Sequence, residues 1–346
     1  MRPYAFLLYP FAVLYDLITR IRNKFFDWGW LKTTKSTIKS ILIGNLSVGG
    51  TGKTPMVEYL VRMLKSRQKI ATLSRGYGRS TKGFLKAGEG VSPSEIGDEP
   101  FQIFEKFGEE IAVFVGENRV EALKNISSNF PENDLVILDD AFQHRYVKAD
   151  LNILLTTFKN PFCSDYLLPA GRLRESRSGA KRADLIVVTK SPKTLKEADK
   201  KELKSQLKTY NSSAPILFSS IGYGVPYYLG FEHNFSKNVI LLSGIANDSQ
   251  LKEFVSEKYE LLETLTYPDH HDYDKSDFEK IKEVFTQHLP SKPVILTTEK
   301  DAVKVKSSCP EGFLREIPIF VLPIQVVFSP EDEQIIESII DQVILQ

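Results

Sequence analysis

Between residues 38 and 189 the sequence alternates six near-continuous apolar runs of strand length (38–44, 70–74, 111–115, 135–139, 151–155 and 185–189) with segments of helical spacing. Runs rich in Val, Ile and Leu at consecutive positions suit parallel strands covered on both faces. The segment 56–64 shows the complementary pattern, with Met56, Val57, Leu60, Val61 and Leu64 on one helical face. This alternation predicts a doubly wound α/β fold with a mostly parallel sheet. A second, smaller α/β set follows, with strands near 239–242, 294–297 and 319–322 and helices near 248–258 and 275–288. The polar stretch 190–209 and the Gly/Pro-bearing stretch 222–226 read as its boundary. The expected organisation is an N-terminal helix (1–35), a core lobe (36–215), and a second lobe (216–346) that ends in a helix. Ser329 and Asp332 form a candidate capping pair around Pro330 at the start of that helix, and Ile335, Ile336, Ile339, Ile340, Val343 and Ile344 supply its apolar stripe.

At ~100–200 residues per domain, 346 residues suit two domains or one large domain with appendages. With 45 basic against 44 acidic side chains there is no global field for nucleic acid, and none is expected as a partner. Cys163 and Cys309 are too few for a disulfide framework, and no CxxC or HExxH spacing points to zinc.

Residues 3–15 carry no charge, and Arg20, Arg22 and Lys24 follow. Thirteen uncharged residues fall short of the ~20 that cross a hydrocarbon core, and no small-residue cleavage site follows them. Trp28 and Trp30 beside basic residues suit a membrane–water boundary. The expected role is a monotopic anchor, because the apolar residues surround the helix instead of forming one stripe. The alternative is a hydrophobic helix packed on the domain or in a dimer.

The sharpest motif, Ser47-Val48-Gly49-Gly50-Thr51-Gly52-Lys53-Thr54, lies between a strand and a helix. A phosphate-binding loop needs glycines so that backbone N–H groups converge on anionic oxygens, a helix N-terminus behind them, a Lys for the β- and γ-phosphates and a hydroxyl for Mg²⁺. Gly49, Gly50 and Gly52 meet the first need, and Lys53 and Thr54 the last two. Ser47 stands where the common pattern has Gly. A strand running from Asp134 to Asp139 and Asp140 would deliver carboxylates to its C-terminal end, where they complete a Mg²⁺ shell. Adjacent residues on a strand point to opposite sides, so the two aspartates are expected to differ in role. This much leaves hydrolysis and transfer to an acceptor both open.

Four further segments stand out: Ser74-Arg75-Gly76-Tyr77-Gly78-Arg79, Gly97-Asp98-Glu99-Pro100, the run from Leu168 through Arg172 and Arg174 to Glu175, and Tyr267-Pro268-Asp269-His270-His271. Together with the stretch from Gly44 and Asn45 to Pro55, Asp139 through Arg145, and Thr298 through Lys304, they closely resemble the tetraacyldisaccharide 4′-kinase family. The resemblance runs from the N-terminal helix to about Lys304. It departs at Arg172, where members often have Pro, and at Ser47, where Thr is common. It implies a P-loop NTPase-like fold with a membrane-associated N-terminal helix. It also implies ATP and Mg²⁺ as cofactors and transfer of the γ-phosphate to the 4′-hydroxyl of an acylated disaccharide 1-phosphate lipid. The expected location is the cytoplasmic face of the inner membrane of a Gram-negative bacterium.

Residue by residue, the resemblance makes Asp98 the catalytic base and His270 its partner. His271 is the alternative to His270, and metal binding by the two histidines with Asp269 and Asp272 is a third reading. A carboxylate that accepts a sugar proton must lie within hydrogen-bond reach, and a neighbouring His can orient it. Arg172, Arg174, Arg177, Lys181 and Arg182 form a basic loop. Family likeness points to substrate roles for Arg174 and Glu175, and Arg75 and Arg79 read as acceptor or phosphate contacts. Thr298 through Lys304 could hold nucleotide or simply start a helix. A membrane-associated P-loop ATPase switch would carry a further Lys early in the loop, and none occurs between Lys39 and Lys53. A GTPase would carry a guanine-reading Asp that Thr189-Lys190-Ser191-Pro192 lacks.

Overall fold

All nine apolar runs read as strands are strands, with ends that shift by one or two residues. The structure, a computed structural model, describes residues 5–245, 248–269 and 271–345. The chain divides into two compact units, Met1–Ile221 with Val326–Gln346, and Gly222–Gln325.

The first unit is built on a nine-stranded sheet in the order Ile324–Phe328, Ile216–Tyr223, Leu185–Ser191, Leu151–Thr157, Lys39–Asn45, Leu135–Asp139, Ile70–Ser74, Ala112–Val115, Leu85–Lys86. The pairs from Ile216–Tyr223 to Ala112–Val115 are parallel, and Leu85–Lys86 closes one edge antiparallel. Successive side chains along each strand serve opposite faces. Ile41 and Ile43 pack with the helix Lys53–Leu64 in one core layer, and Leu42, Leu138 and Leu154 fill the other. Met56, Val57, Leu60, Val61 and Leu64 are fully buried, at about 1.5–3 kcal/mol for each large aliphatic. From Lys39–Asn45 the chain moves out to Ile70–Ser74 and Ala112–Val115. It then returns to insert Leu135–Asp139 beside the starting strand and continues on the other side with Leu151–Thr157. The C-terminal end of Lys39–Asn45 is therefore the switch point of the sheet, where such folds bind ligands.

The stretch 190–209, read as a boundary, instead contains the helix Glu197–Lys208, whose Leu203 and Leu207 are buried in the first unit's core. Only two apolar residues one turn apart face inward, too few to stand out in so charged a segment. The C-terminal helix, Pro330–Leu345, was expected in the second lobe, but the chain returns and the helix belongs to the first unit. Ile336 and Ile340 are buried against the layer that holds Met56 and Leu64, while Ile335 faces outward. At its start the Ser329 hydroxyl accepts from the Asp332 N–H at 3.2 Å. The Asp332 carboxylate does not reciprocate; it accepts from the Phe218 N–H at 2.9 Å.

The second unit has a five-stranded sheet ordered Tyr227–Tyr228, Ile319–Leu322, Val294–Thr298, Asn238–Ser243, Glu260–Thr266, parallel except at the Tyr227–Tyr228 edge. It has apolar layers of its own on each face.

The N-terminal helix, Ala5–Asp27, docks by its C-terminal half on the first unit. Phe26 meets Tyr146 edge-on at 4.9 Å, and Arg145 pairs with Asp27 at 2.6 Å. Tyr9, Phe11, Val13, Leu14, Leu17 and Ile18 are all more than half exposed. Among the described residues no helix is long and apolar enough to cross a membrane.

Candidate active site

The loop leaves the central strand at Asn45 and enters the helix at Lys53, as its glycines require. Gly49 and Gly52 take φ of 105° and 84°, left-handed conformations that suit glycine. Gly44 is needed for contact: a Cβ there would lie 2.5 Å from the Phe142 Cβ. Asn45 is fully buried and donates to the Ser47 carbonyl at 2.6 Å and the Thr51 hydroxyl at 2.8 Å, which ties the loop to its own strand. The Thr189 hydroxyl donates to the Thr51 carbonyl at 2.8 Å from the far side. Beside it Lys190 takes φ 55°, and a Cβ built on Gly50 would lie 3.7 Å from its ammonium. In the sequence this segment shows only a strand end, a polar stretch and the lack of a guanine-reading Asp. That Lys190 flanks the loop follows from strand order, which no local motif encodes.

Asp139 and Asp140 end the neighbouring strand, Leu135–Asp139. The alternation expected of a strand stops there, because Asp140 is left-handed with φ 46°. Their difference comes from surroundings. Burial pushes the Asp139 pKa up to about 6, helped by the negative charges of Asp140 and Glu99 and opposed by Lys53 and Arg119. Its Oδ1 is buried without a hydrogen-bond partner. Burial also acts on Asp140, but the Arg174 hydrogen bonds and the charges of Lys53, Arg174 and Arg119 outweigh it and hold that carboxyl below its usual range. The Arg174 guanidinium forks onto Asp140 at 2.7 and 3.1 Å and also bonds the Asn45 side chain, and the Lys53 ammonium is 3.7 Å from Asp140.

Arg119 was not flagged by any motif. It is buried, bonds the carbonyls of Gly116 and Asp139, and has its pKa lowered to about 10 by burial. Burial and the charges of Arg119, Arg22 and Arg75 lower His144 to about 4, so its imidazole is neutral near pH 7. Glu99, in the same motif as the expected base, carries no role in the sequence, yet its charge reaches Asp139.

Asp98 is the first residue of the helix Asp98–Phe107, and Gly97 before it takes φ 94°. A Cβ on Gly97 would lie 2.9 Å from the Tyr77 carbonyl, so two motifs far apart in sequence, around Arg75 and around Asp98, pack together. Arg75 is exposed there. Arg79 and Glu175, expected at the acceptor, have their charges taken up inside the protein. Arg79 pairs with Glu117 at 2.6 Å and bonds the Gly83 carbonyl. Glu175 is buried and receives Arg182, Gln143 and Asn23. His270 lies outside the described residues. His271 bonds Asp277 at 2.7 Å, Asp269 pairs with Lys300 and Asp272 with Lys304. Among the described residues no three His, Cys, Asp or Glu side chains assemble a metal site; the third reading of the histidines includes His270 and so lies partly outside them. In the second unit Thr298 caps the helix Glu299–Ser308 through the Asp301 N–H, which gives that motif a helix-start role.

A glycine loop at the switch point of a mostly parallel sheet, backed by a Lys, a Thr, the buried carboxylate of Asp139 and the exposed one of Asp140, defines an α/β protein of the nucleotide-binding, phosphate-loop kind. A sequence profile described as Tetraacyldisaccharide-1-P 4′-kinase matches residues 4–344. The chain belongs to that family. The Tetraacyldisaccharide 4′-kinase of Flavobacterium johnsoniae is 44% identical over 318 residues, 90% of this chain and 91% of its own. That of Phocaeicola vulgatus is 39% identical over 341 residues, 96% of this chain and 93% of its own. A crystal structure titled as "apo" form LpxK from Aquifex aeolicus in complex with ATP matches with a TM-score of 0.74 and 30% identity, over 98% of this chain and 99% of that one.

Proposed function

We propose that the reaction of its family, ATP-dependent phosphorylation of the 4′-hydroxyl of a tetraacyldisaccharide 1-phosphate in lipid A biosynthesis, runs in this chain by Mg²⁺-assisted in-line transfer with Asp98 as base. The observation that carries the reading is Asp139: a buried carboxylate at the strand end beside the phosphate loop, with one oxygen left without a partner. Such a group fits a hard cation that takes oxygen ligands. Thr54, Asp139 and Asp140 would hold Mg²⁺, which when bound neutralises charge on the β- and γ-phosphates.

The chain's own groups supply the rest. The N–H groups of Gly49 to Lys53 cradle the phosphates, and the Lys53 ammonium draws charge off the γ-phosphoryl. The Asp98 carboxylate accepts the proton of the 4′-hydroxyl as the hydroxyl oxygen bonds to phosphorus. The bond from phosphorus to the β–γ bridging oxygen breaks, and ADP leaves with the electron pair. His270 orients Asp98 on the strength of the family likeness alone. Exposed Arg75 suits an acceptor phosphate. The exposed apolar side chains of Ala5–Asp27, with Trp28 and Trp30 at its end, support a monotopic attachment at the cytoplasmic face of the inner membrane.

Asp98→Ala tests the base. Phosphate transfer from labelled ATP to the disaccharide lipid should fall by about 10²-fold or more, with ATP binding retained. A variant that transfers at the native rate removes Asp98 from the role.

A further inference from the structure

The N-terminal helix has two faces with different neighbours. Phe11, Val13, Leu14, Leu17 and Ile18 face away from the protein, whereas Tyr15 and Asn23 reach into the active-site wall. The Tyr15 hydroxyl donates to the Arg174 carbonyl at 2.9 Å, and the Asn23 amide donates to Glu175 at 3.1 Å. Residue 174 is held from the other side too: its N–H donates to the Leu46 carbonyl at 2.7 Å, at the entry to the phosphate loop. Its guanidinium then forks onto Asp140. Glu175 runs in parallel. It is buried, takes the Arg182 fork at 2.8 and 3.0 Å, and accepts from Gln143, whose amide also donates to the Asn45 carbonyl at 2.8 Å. Asn45 in turn fixes Ser47 and Thr51. These bonds form one connected, partly buried network, so a shift of the helix is felt at Arg174 and Glu175, whose groups cannot follow it without straining the bonds they make to Asp140 and Gln143.

We propose that Tyr15 and Asn23 are positioning residues for the metal carboxylate: the seating of the helix sets where Arg174 holds Asp140 and so sets the response to Mg²⁺. The proposal rests on the reading that Asp140 helps hold Mg²⁺. One helix thus carries two separable functions, attachment on its outer face and site geometry on its inner face. A change in how the helix sits at a lipid surface reaches the phosphate loop through two hydrogen bonds.

The test uses the full-length protein and three variants. The inner-face pair is Tyr15→Phe with Asn23→Ala, the outer-face pair is Phe11→Ser with Leu14→Ser, and Asp140→Asn is the reference. The readouts are binding of a fluorescent ATP analogue against Mg²⁺ concentration, sedimentation with phosphatidylethanolamine–phosphatidylglycerol vesicles, and melting temperature. For the inner-face pair the Mg²⁺ concentration at half-effect should rise about three- to tenfold, with vesicle binding and metal-free nucleotide affinity native. The outer-face pair should leave the vesicles and keep the native Mg²⁺ response. An unchanged Mg²⁺ response in the inner-face pair overturns the proposal. So does joint loss of nucleotide and vesicle binding with a lowered melting temperature, which marks plain structural support. If Asp140→Asn keeps the native response, the metal assignment fails and takes the relay with it. If Asp140→Asn shifts the response and the inner-face pair does not, the relay alone fails.

Discussion

At Asp139 opposing forces meet: desolvation and the charges of Asp140 and Glu99 favour its neutral form, and Lys53 and Arg119 favour its charge. Burial wins, and the carboxyl binds its proton up to about pH 6. An unfolded chain would release that proton near pH ~4. The native state therefore holds the proton more tightly, and the resulting stabilisation is complete below the unfolded pKa and lost as pH rises through about 6. Asp139→Asn cannot titrate. The urea midpoint of wild type minus that of this variant, both without nucleotide or metal, should fall as pH is raised from 4 to about 6 and then level off; a flat difference would contradict the burial argument. The placement of Lys53 and Thr54 at the start of a helix and of Asp139 at the end of a strand was legible because a glycine loop and an apolar run are local signals. The internal engagement of Arg79 and Glu175 was not, because their partners Glu117, Gln143 and Asn23 lie far away in sequence.

At the scale of elements, periodicity located strands well and short edge strands poorly. Leu85–Lys86 has two residues and one paired side, too little for an apolar run. Glu260–Thr266 carries only one buried residue, so its pattern is muted. The start of the last helix shows how tertiary context redirects a local signal. Asp332 has the right spacing for a reciprocal cap, yet it is buried and serves the Phe218 N–H in the strand Ile216–Tyr223. Removing it leaves a buried donor without a partner. Asp332→Ala should therefore cost about 1–3 kcal/mol, read as a lower urea midpoint at unchanged slope, while affinity for ATP stays native. A loss below about 0.5 kcal/mol would make Asp332 equivalent to an ordinary surface residue.

For the molecule as a whole, the order of the chain and the order of the fold diverge. The first unit begins the sequence and also ends it, since Val326–Gln346 returns to supply an edge strand and the helix that buries Ile336 and Ile340. A reading that cuts the chain once must misplace that segment. Deleting residues 326–346 should therefore disrupt the phosphate-loop unit: ATP binding should be lost and the protein should aggregate on heating well below the wild-type transition. A truncated protein that binds ATP normally would show the segment to be an appendage.

The sequence by itself determined the alternating α/β architecture, the phosphate loop, the carboxylates opposite it and the family. Each of these depends on residues close together in the chain, where spacing translates directly into geometry. Tertiary structure alone decided the return of the C-terminal helix, the place of Lys190 beside Gly50, the difference between Asp139 and Asp140, and the link from Tyr15 to the active site. These arise from strand order, burial and contacts between distant segments. Desolvation and hydrogen bonding act through space, so they take their values only once the chain is folded.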